Sequence, residues 1–110
     1  MQTFYEVEPQ ERFDPPRIIE EAVNHHAQAL LFNEGVLPED FFDLSTGVAG
    51  ELLGKTAIYR LRLACVVSEL SAYSAQFQAF VREANRGNEI GFFPTRKEAI
   101  TWLEDWRMKS

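Results

Sequence analysis

Apolar positions recur along this chain in two rhythms, and the switching between them predicts most of its elements. From Asp14-Pro15-Pro16 onward, Ile18, Ile19, Ala22, Val23 and His26 return at the three- and four-residue steps of one helical face. Asp14 can cap that start and proline presets its backbone angle, so a helix is expected to about Ala27, with His26 as a hydrogen-bonded core residue. Phe77, Phe80, Val81 and Ala84 repeat the helical spacing, and Asn85-Arg86-Gly87 should end that helix on a left-handed glycine. Ala99, Ile100, Trp102, Leu103 and Trp106 form a last apolar stripe behind Thr95-Arg96-Lys97-Glu98, a capping box whose hydroxyl and carboxylate can satisfy free amides. The other rhythm is the strand's. Thr3 to Val7, Ala29 to Phe32, Leu61 to Val67 and Glu89 to Phe93 are short apolar or alternating runs, each bounded by polar, glycine or proline residues. Leu61 to Val67 is apolar on both faces after Arg62, as a central strand covered on both sides should be. Strand and helix alternate to the end. The expected fold is therefore a single α/β domain over residues 1–110, with a mostly parallel sheet of four strands or five and about four helices.

One segment asks for chemistry at first sight. Ala49-Gly50-Glu51-Leu52-Leu53-Gly54-Lys55-Thr56 satisfies the loose phosphate-loop pattern. A working loop needs glycine-rich backbone with inward amides, and a full helix beginning at Gly-Lys-Thr. Here Glu51, Leu52 and Leu53 are helix formers, the carboxylate would repel phosphate, and only about five residues separate Thr56 from the next strand. Nucleotide binding is rejected. The motif is better placed inside a helix from about Thr46 to Tyr59, with Glu51 and Lys55 as an i,i+4 surface pair. Gly47, Gly50, Gly54 and Ala57 then fall on one side, and since an interior glycine costs about 1 kcal/mol relative to alanine, a closely packed backbone is expected against them. A sheet or helix of the same chain, a partner helix or a ligand would each fit.

Composition narrows the partners. Seventeen acidic residues against eleven basic give a net charge of −6, and the basic residues are scattered, which argues against nucleic acid and anionic membrane as partners. The first residues lack the pattern of a signal peptide, and no apolar run approaches the roughly eighteen residues of a membrane span, so a cytoplasmic protein is expected. Cys65, the single cysteine, sits in an apolar run and reads as a buried structural thiol. His25 and His26 are adjacent, point about 100° apart on a helix and cannot share one metal.

Several ordered segments also carry a resemblance. The run Glu39 to Lys55, then Tyr59, Leu61 to Val67, Phe77 to Phe93 and Lys97 to Leu103 resembles the bacterial family catalogued as domain of unknown function 4180, over about residues 18 to 103. The resemblance implies a small α/β domain of unassigned role, and the short lead-in here leaves one sheet edge open or covered by a partner. More distantly, Asp43-Leu44-Ser45-Thr46-Gly47 is similar to the phospho-acceptor turn of the sulfate-transporter and anti-sigma-factor-antagonist (STAS) fold. That likeness places Ser45 where such modules carry a regulated serine, although Leu44 intrudes where the aspartate should be adjacent. A phosphate there would meet free amides at a helix start; plain capping by Ser45 or Thr46 is the alternative.

In an open parallel sheet ligands gather beyond the carboxyl ends of the strands. The residues expected there are Asn33 and Glu34, the loop with Glu39, Asp40 and Asp43, then Ser68 and Glu69, and Pro94 and Thr95, an acidic edge that reads as a solvated loop ahead of a magnesium site. The candidate regulatory or binding residues are Phe41, Phe42, Asp43, Ser45, Thr46, Gly47, Ser68 and Glu69. The two phenylalanines can line a pocket, hold a partner or fold back on the core. No set of nucleophile, base and orienter emerges, and no residues call for a metal or cofactor. The expected function is a non-enzymatic, STAS-like interaction or regulatory module, with self-association among its options and Trp106 as a candidate for the dimer face. The competing expectation is a small-ligand binder or unassigned enzyme using a pocket between Phe41/Phe42, Ser45/Thr46 and Ser68-Glu69.

Overall fold

The computed structural model describes residues 4–8 and 13–109, with side chains to residue 105. Four strands form one sheet in the order of the chain: β1 (Phe4–Val7), β2 (Ala29–Phe32), β3 (Arg62–Val66) and β4 (Ile90–Phe93). All three pairings are parallel, in registers such as Leu30 with Leu63 and Cys65 with Phe92. Thr3, expected to open the first strand, lies outside the described residues.

Parallel neighbours need crossovers, and connections of one hand between strands in sequential order put every crossover helix on the same side. That side holds α1 (Pro15–Asn24), the short α2 (Glu39–Phe42), α3 (Val48–Ile58) and α4 (Ala75–Arg86). Their apolar faces meet Val7, Leu30, Phe32, Leu63, Cys65, Val67 and Phe92 in the main core. Only α5 (Arg96–Lys109), which follows the last strand, covers the opposite side, over Ala29, Leu31, Ala64 and Val66. The strand alternation decides the allocation: Leu63 and Cys65 face one core, Ala64 and Val66 the other.

Two helix ends differ from expectation for a common reason. α1 stops at Asn24, and His26 is exposed in the left-handed region at φ 58°, outside the core. Its N–H donates to Val23 O at 3.0 Å while Ala27 N–H reaches back to Ala22 O at 2.9 Å, the paired bonds of a Schellman end. Arg60, at φ 55°, ends α3 in the same way, with Leu61 N–H donating to Thr56 O at 2.9 Å. Conversely Gly87, expected to be left-handed, is extended at φ −92°. Asp14 occupies the first cap position of α1 without a side-chain hydrogen bond. At Thr95, Glu98 N–H donates to the hydroxyl at 3.2 Å, but the Glu98 carboxylate accepts from that same hydroxyl rather than from an amide. The capping box is half formed.

Candidate functional site

The segment Phe41 to Gly47 is built as a staircase from α2 to α3. Phe41 is fully buried against Phe77 and Phe92, and Phe42 stacks on Tyr73 with ring centroids 4.1 Å apart, so both aromatics belong mainly to the core. Asp43 then caps a 3-10 turn, Leu44–Thr46: its Oδ1 accepts from the Ser45 hydroxyl at 2.6 Å and from the Ser45 N–H at 3.1 Å. Those bonds, the hydroxyl's first, hold the Asp43 carboxyl below its ordinary range. The Thr46 hydroxyl lies 2.6 Å from Asp40 O and 2.8 Å from Asp43 O, locking the turn to α2. Gly47, at φ 81°, closes the turn and opens α3 in one residue, with Glu51 N–H donating to its carbonyl at 2.9 Å. A left-handed residue at that junction accounts for this glycine. Ser45 therefore sits in the turn before α3, already engaged by Asp43, rather than at the helix start itself.

The expected pocket does not assemble as one site. A cavity of about 360 Å³ is lined by Phe42, Asp43, Leu44, Ser45, Ser74 and Gln76. Phe41 and Thr46 do not line it, nor do Ser68 and Glu69. Ser68 and Glu69 are exposed past the end of β3, where Ser68 N–H donates to Glu34 Oε1 at 2.8 Å and ties two loops together.

Beside them lies a polar pin that sequence spacing does not reveal, because its partners are ninety positions apart. Arg96 grips Glu6 with Nε on Oε2 at 2.7 Å and an NH2 group on Oε1 at 2.8 Å. Asn33 Nδ2 donates to the same Oε2 at 2.9 Å and to Val7 O at 3.0 Å. The Arg96 bond leads in holding the Glu6 carboxyl below its usual range; partial burial opposes it, and Asn33 adds to the lowering. The pin fastens α5 to the edge strand β1. On the same face Arg62, 5% exposed, lays its guanidinium 3.8 Å over the Trp102 ring and donates from Nε to Asn88 O at 2.8 Å. Burial pushes its pKa down to about 10. These contacts hold the fold. Cys65 is fully buried, and the loss of solvent pushes its thiol well up. Among the described residues no three His, Cys, Asp or Glu side chains gather as metal ligands, and no helix is long and apolar enough to cross a membrane.

The outer side of α3 is a different kind of feature. Ala49, Leu52 and Thr56 are buried, yet the solvent side offers Gly50, Gly54, Ala57 and Ile58, with Glu51 exposed beside them and Lys55 half-buried on the same flank. A Cβ built on Gly50 or Gly54 would meet nothing within 4 Å. The close packing expected against Gly47, Gly50 and Gly54 is therefore absent from the described residues of this chain. Ile58 is 76% exposed and Tyr59 57%, and across a groove of about 390 Å³ Val23 of α1 is 45% exposed. Ile19, Glu20 and Lys55 complete the groove walls. Lys55 forms no ion pair with Glu51, contrary to the expected surface pair. The glycine spacing was legible in the sequence; that it stays open on the folded chain was not. The side chain of Trp106, considered for a dimer face, lies outside the described residues.

The model of the family described as Domain of unknown function (DUF4180) matches residues 8–103, and the chain belongs to that family. The match begins about ten residues before the resemblance read from the sequence. Nothing among the curated proteins or the solved structures matches the chain.

Proposed function

We propose that this member of the DUF4180 family is a non-catalytic interaction module whose working face is the outer side of α3 with the α1/α3 groove. One observation carries the reading: a crossover helix turned to solvent keeps almost no polar side chains there. A surface helix ordinarily divides apolar from polar. α4, on the same side of the sheet, does so, with Arg82, Glu83 and Arg86 outward and Phe77 and Val81 inward. α3 instead exposes two glycines, an alanine and an isoleucine beside Tyr59 and Val23, a surface that favours a partner over water. The net charge of −6 favours a protein partner over nucleic acid or anionic membrane. Photo-cross-linking from position 59 in cells should give discrete adducts, and Ile58→Asp should remove them. A control probe at Glu83 should stay bare. No adduct from any groove position would sink the reading.

A second reading rests on the cavity beside Ser45 and Ser74. Its size of about 360 Å³ and its lining, Phe42 and Leu44 with hydroxyl, carboxylate and amide groups at their side, suit a small ligand with an apolar body and a polar group. A thermal-shift screen of metabolites, repeated on Ser45→Ala, separates the two. The finer STAS-like version, phosphorylation of Ser45, has the Asp43 carboxylate 2.6 Å from the acceptor oxygen against it, since like charges would meet there.

A further inference from the structure

We infer that the occupant of the α3 face is a second copy of this chain, docked as an antiparallel α3 pair about a two-fold axis. The inference rests on the interaction-module reading and names its partner.

Gly50-Glu51-Leu52-Leu53-Gly54 is a small-xxx-small segment, the spacing that lets two helix backbones approach closely. Both glycines cost helix stability, and neither packs against the described residues of the chain or takes an unusual backbone angle; only Gly47 of the three has a positive φ. Close approach by another backbone is what remains for them to serve. The face is also self-complementary. With the axis crossing α3 at the level of Leu53, Gly50, the partner's Gly54, Gly54 and the partner's Gly50 follow one another about 3 Å apart along the contact. Ile58 then lies beside the partner's Gly47, where no Cβ obstructs it, and near the partner's Leu44, an exposed large apolar side chain before its α3.

Charge fits the same operation. Glu51 and Lys55 lie on the same flank of α3, four residues apart, and neither is ion-paired among the described residues. A two-fold axis in that plane keeps the flank and reverses the height, so Glu51 faces the partner's Lys55 and Lys55 the partner's Glu51. Both ends of the pair are satisfied at once.

Sedimentation equilibrium across about 5 to 500 µM should show the mass rising from 12.7 kDa toward twice that value. Gly54→Ala is the discriminating variant. It fits the monomer and favours the helix, so the midpoint of thermal unfolding of dilute protein should rise by a few degrees while dimerisation weakens at least tenfold. Glu51→Lys should weaken dimerisation and Glu51→Lys with Lys55→Glu should restore it; a purely structural role predicts no such rescue. A mass fixed at 12.7 kDa throughout, or dimerisation untouched by Gly54→Ala, overturns the second-copy inference. If cross-links from position 59 to other proteins persist in that case, the module reading stands without it; if they too are missing, both fall.

Discussion

The two faces of the sheet are held by different means. One face is covered by four helices and buries eighteen described residues in one cluster, among them Phe32, Phe41, Phe77 and Phe92; the other has α5 alone and six. The imbalance follows from connectivity, since a sheet whose parallel strands run in chain order sends each crossover to the same side and leaves the far side to whatever follows the last strand. The crowded face is secured by volume: Phe77 touches the rings of Phe41, Phe42, Tyr73, Phe80 and Phe92. The sparse face is secured by close approach and polar pins. Ala29, Ala64 and Ala99 let α5 sit near the strands, Gly91 leaves the space that the Phe93 ring and Trp102 occupy, and Glu6–Arg96 and Arg62–Trp102 fix its position. A Cβ on Gly91 would come within 2.6 Å of the Phe93 ring. Surplus cover on one side is also what frees α3 to turn a bare flank outward.

The contrast can be broken at graded points. Phe77→Ala removes the hub of the aromatic cluster and should cost about 3–5 kcal/mol in chemical denaturation. Leu103→Ala, the fully buried leucine of α5, should cost about 2–3 kcal/mol; a loss equal to that of Phe77→Ala would show that the sparse face carries as much as the crowded one. Glu6→Gln weakens the pin by about 1 kcal/mol, a modest figure because Arg96 is half exposed. Its pH dependence has a definite sign. The folded-state carboxyl lies below its ordinary value, so the stabilisation is complete above about pH 4.3 and fades as pH falls through the lowered value. The melting difference between wild type and Glu6→Gln should therefore narrow in acid, and a difference unchanged at about pH 2 would remove ionic character from the pin. Smallest of all, His26→Gly should stabilise by about 0.5–1 kcal/mol, because glycine takes the left-handed angle without strain. Arg60→Gly should do the same at the end of α3.

The strands and most helices were legible because burial imposes a period on the sequence: Ala29–Phe32 coincides with its apolar run, and the segment containing Gly50 and Gly54 is helical as expected. What periodicity could not carry was the end of each helix. His26 lies one step past the stripe it would extend, and whether the chain continues or reverses there depends on a local choice between carbonyl partners. The pins were illegible for another reason, since Glu6, Asn33 and Arg96 meet only once three parallel strand ends are aligned. The candidate site was half legible. Glycine spacing announced an unusual helix surface, but only the fold shows that the surface remains vacant, and the pocket expected around Ser45 joined residues that the structure separates.

The side-chain amide of Asn85 completes the picture at the β4 edge. Backbone bonding to β3 uses Glu89 and Phe93, so by alternation Phe92 turns its N–H and carbonyl outward. Asn85 takes both, accepting from Phe92 N–H at 2.7 Å and donating to Phe92 O at 3.3 Å, much as a neighbouring strand would. A foreign strand arriving there meets a ladder already closed at its middle rung. Growth of the sheet by strand addition is thus obstructed at the β4 end, and a sheet closed at one end cannot pass copies of itself along in both directions. Fibre-like propagation, which needs two receptive ends, is denied by a single amide.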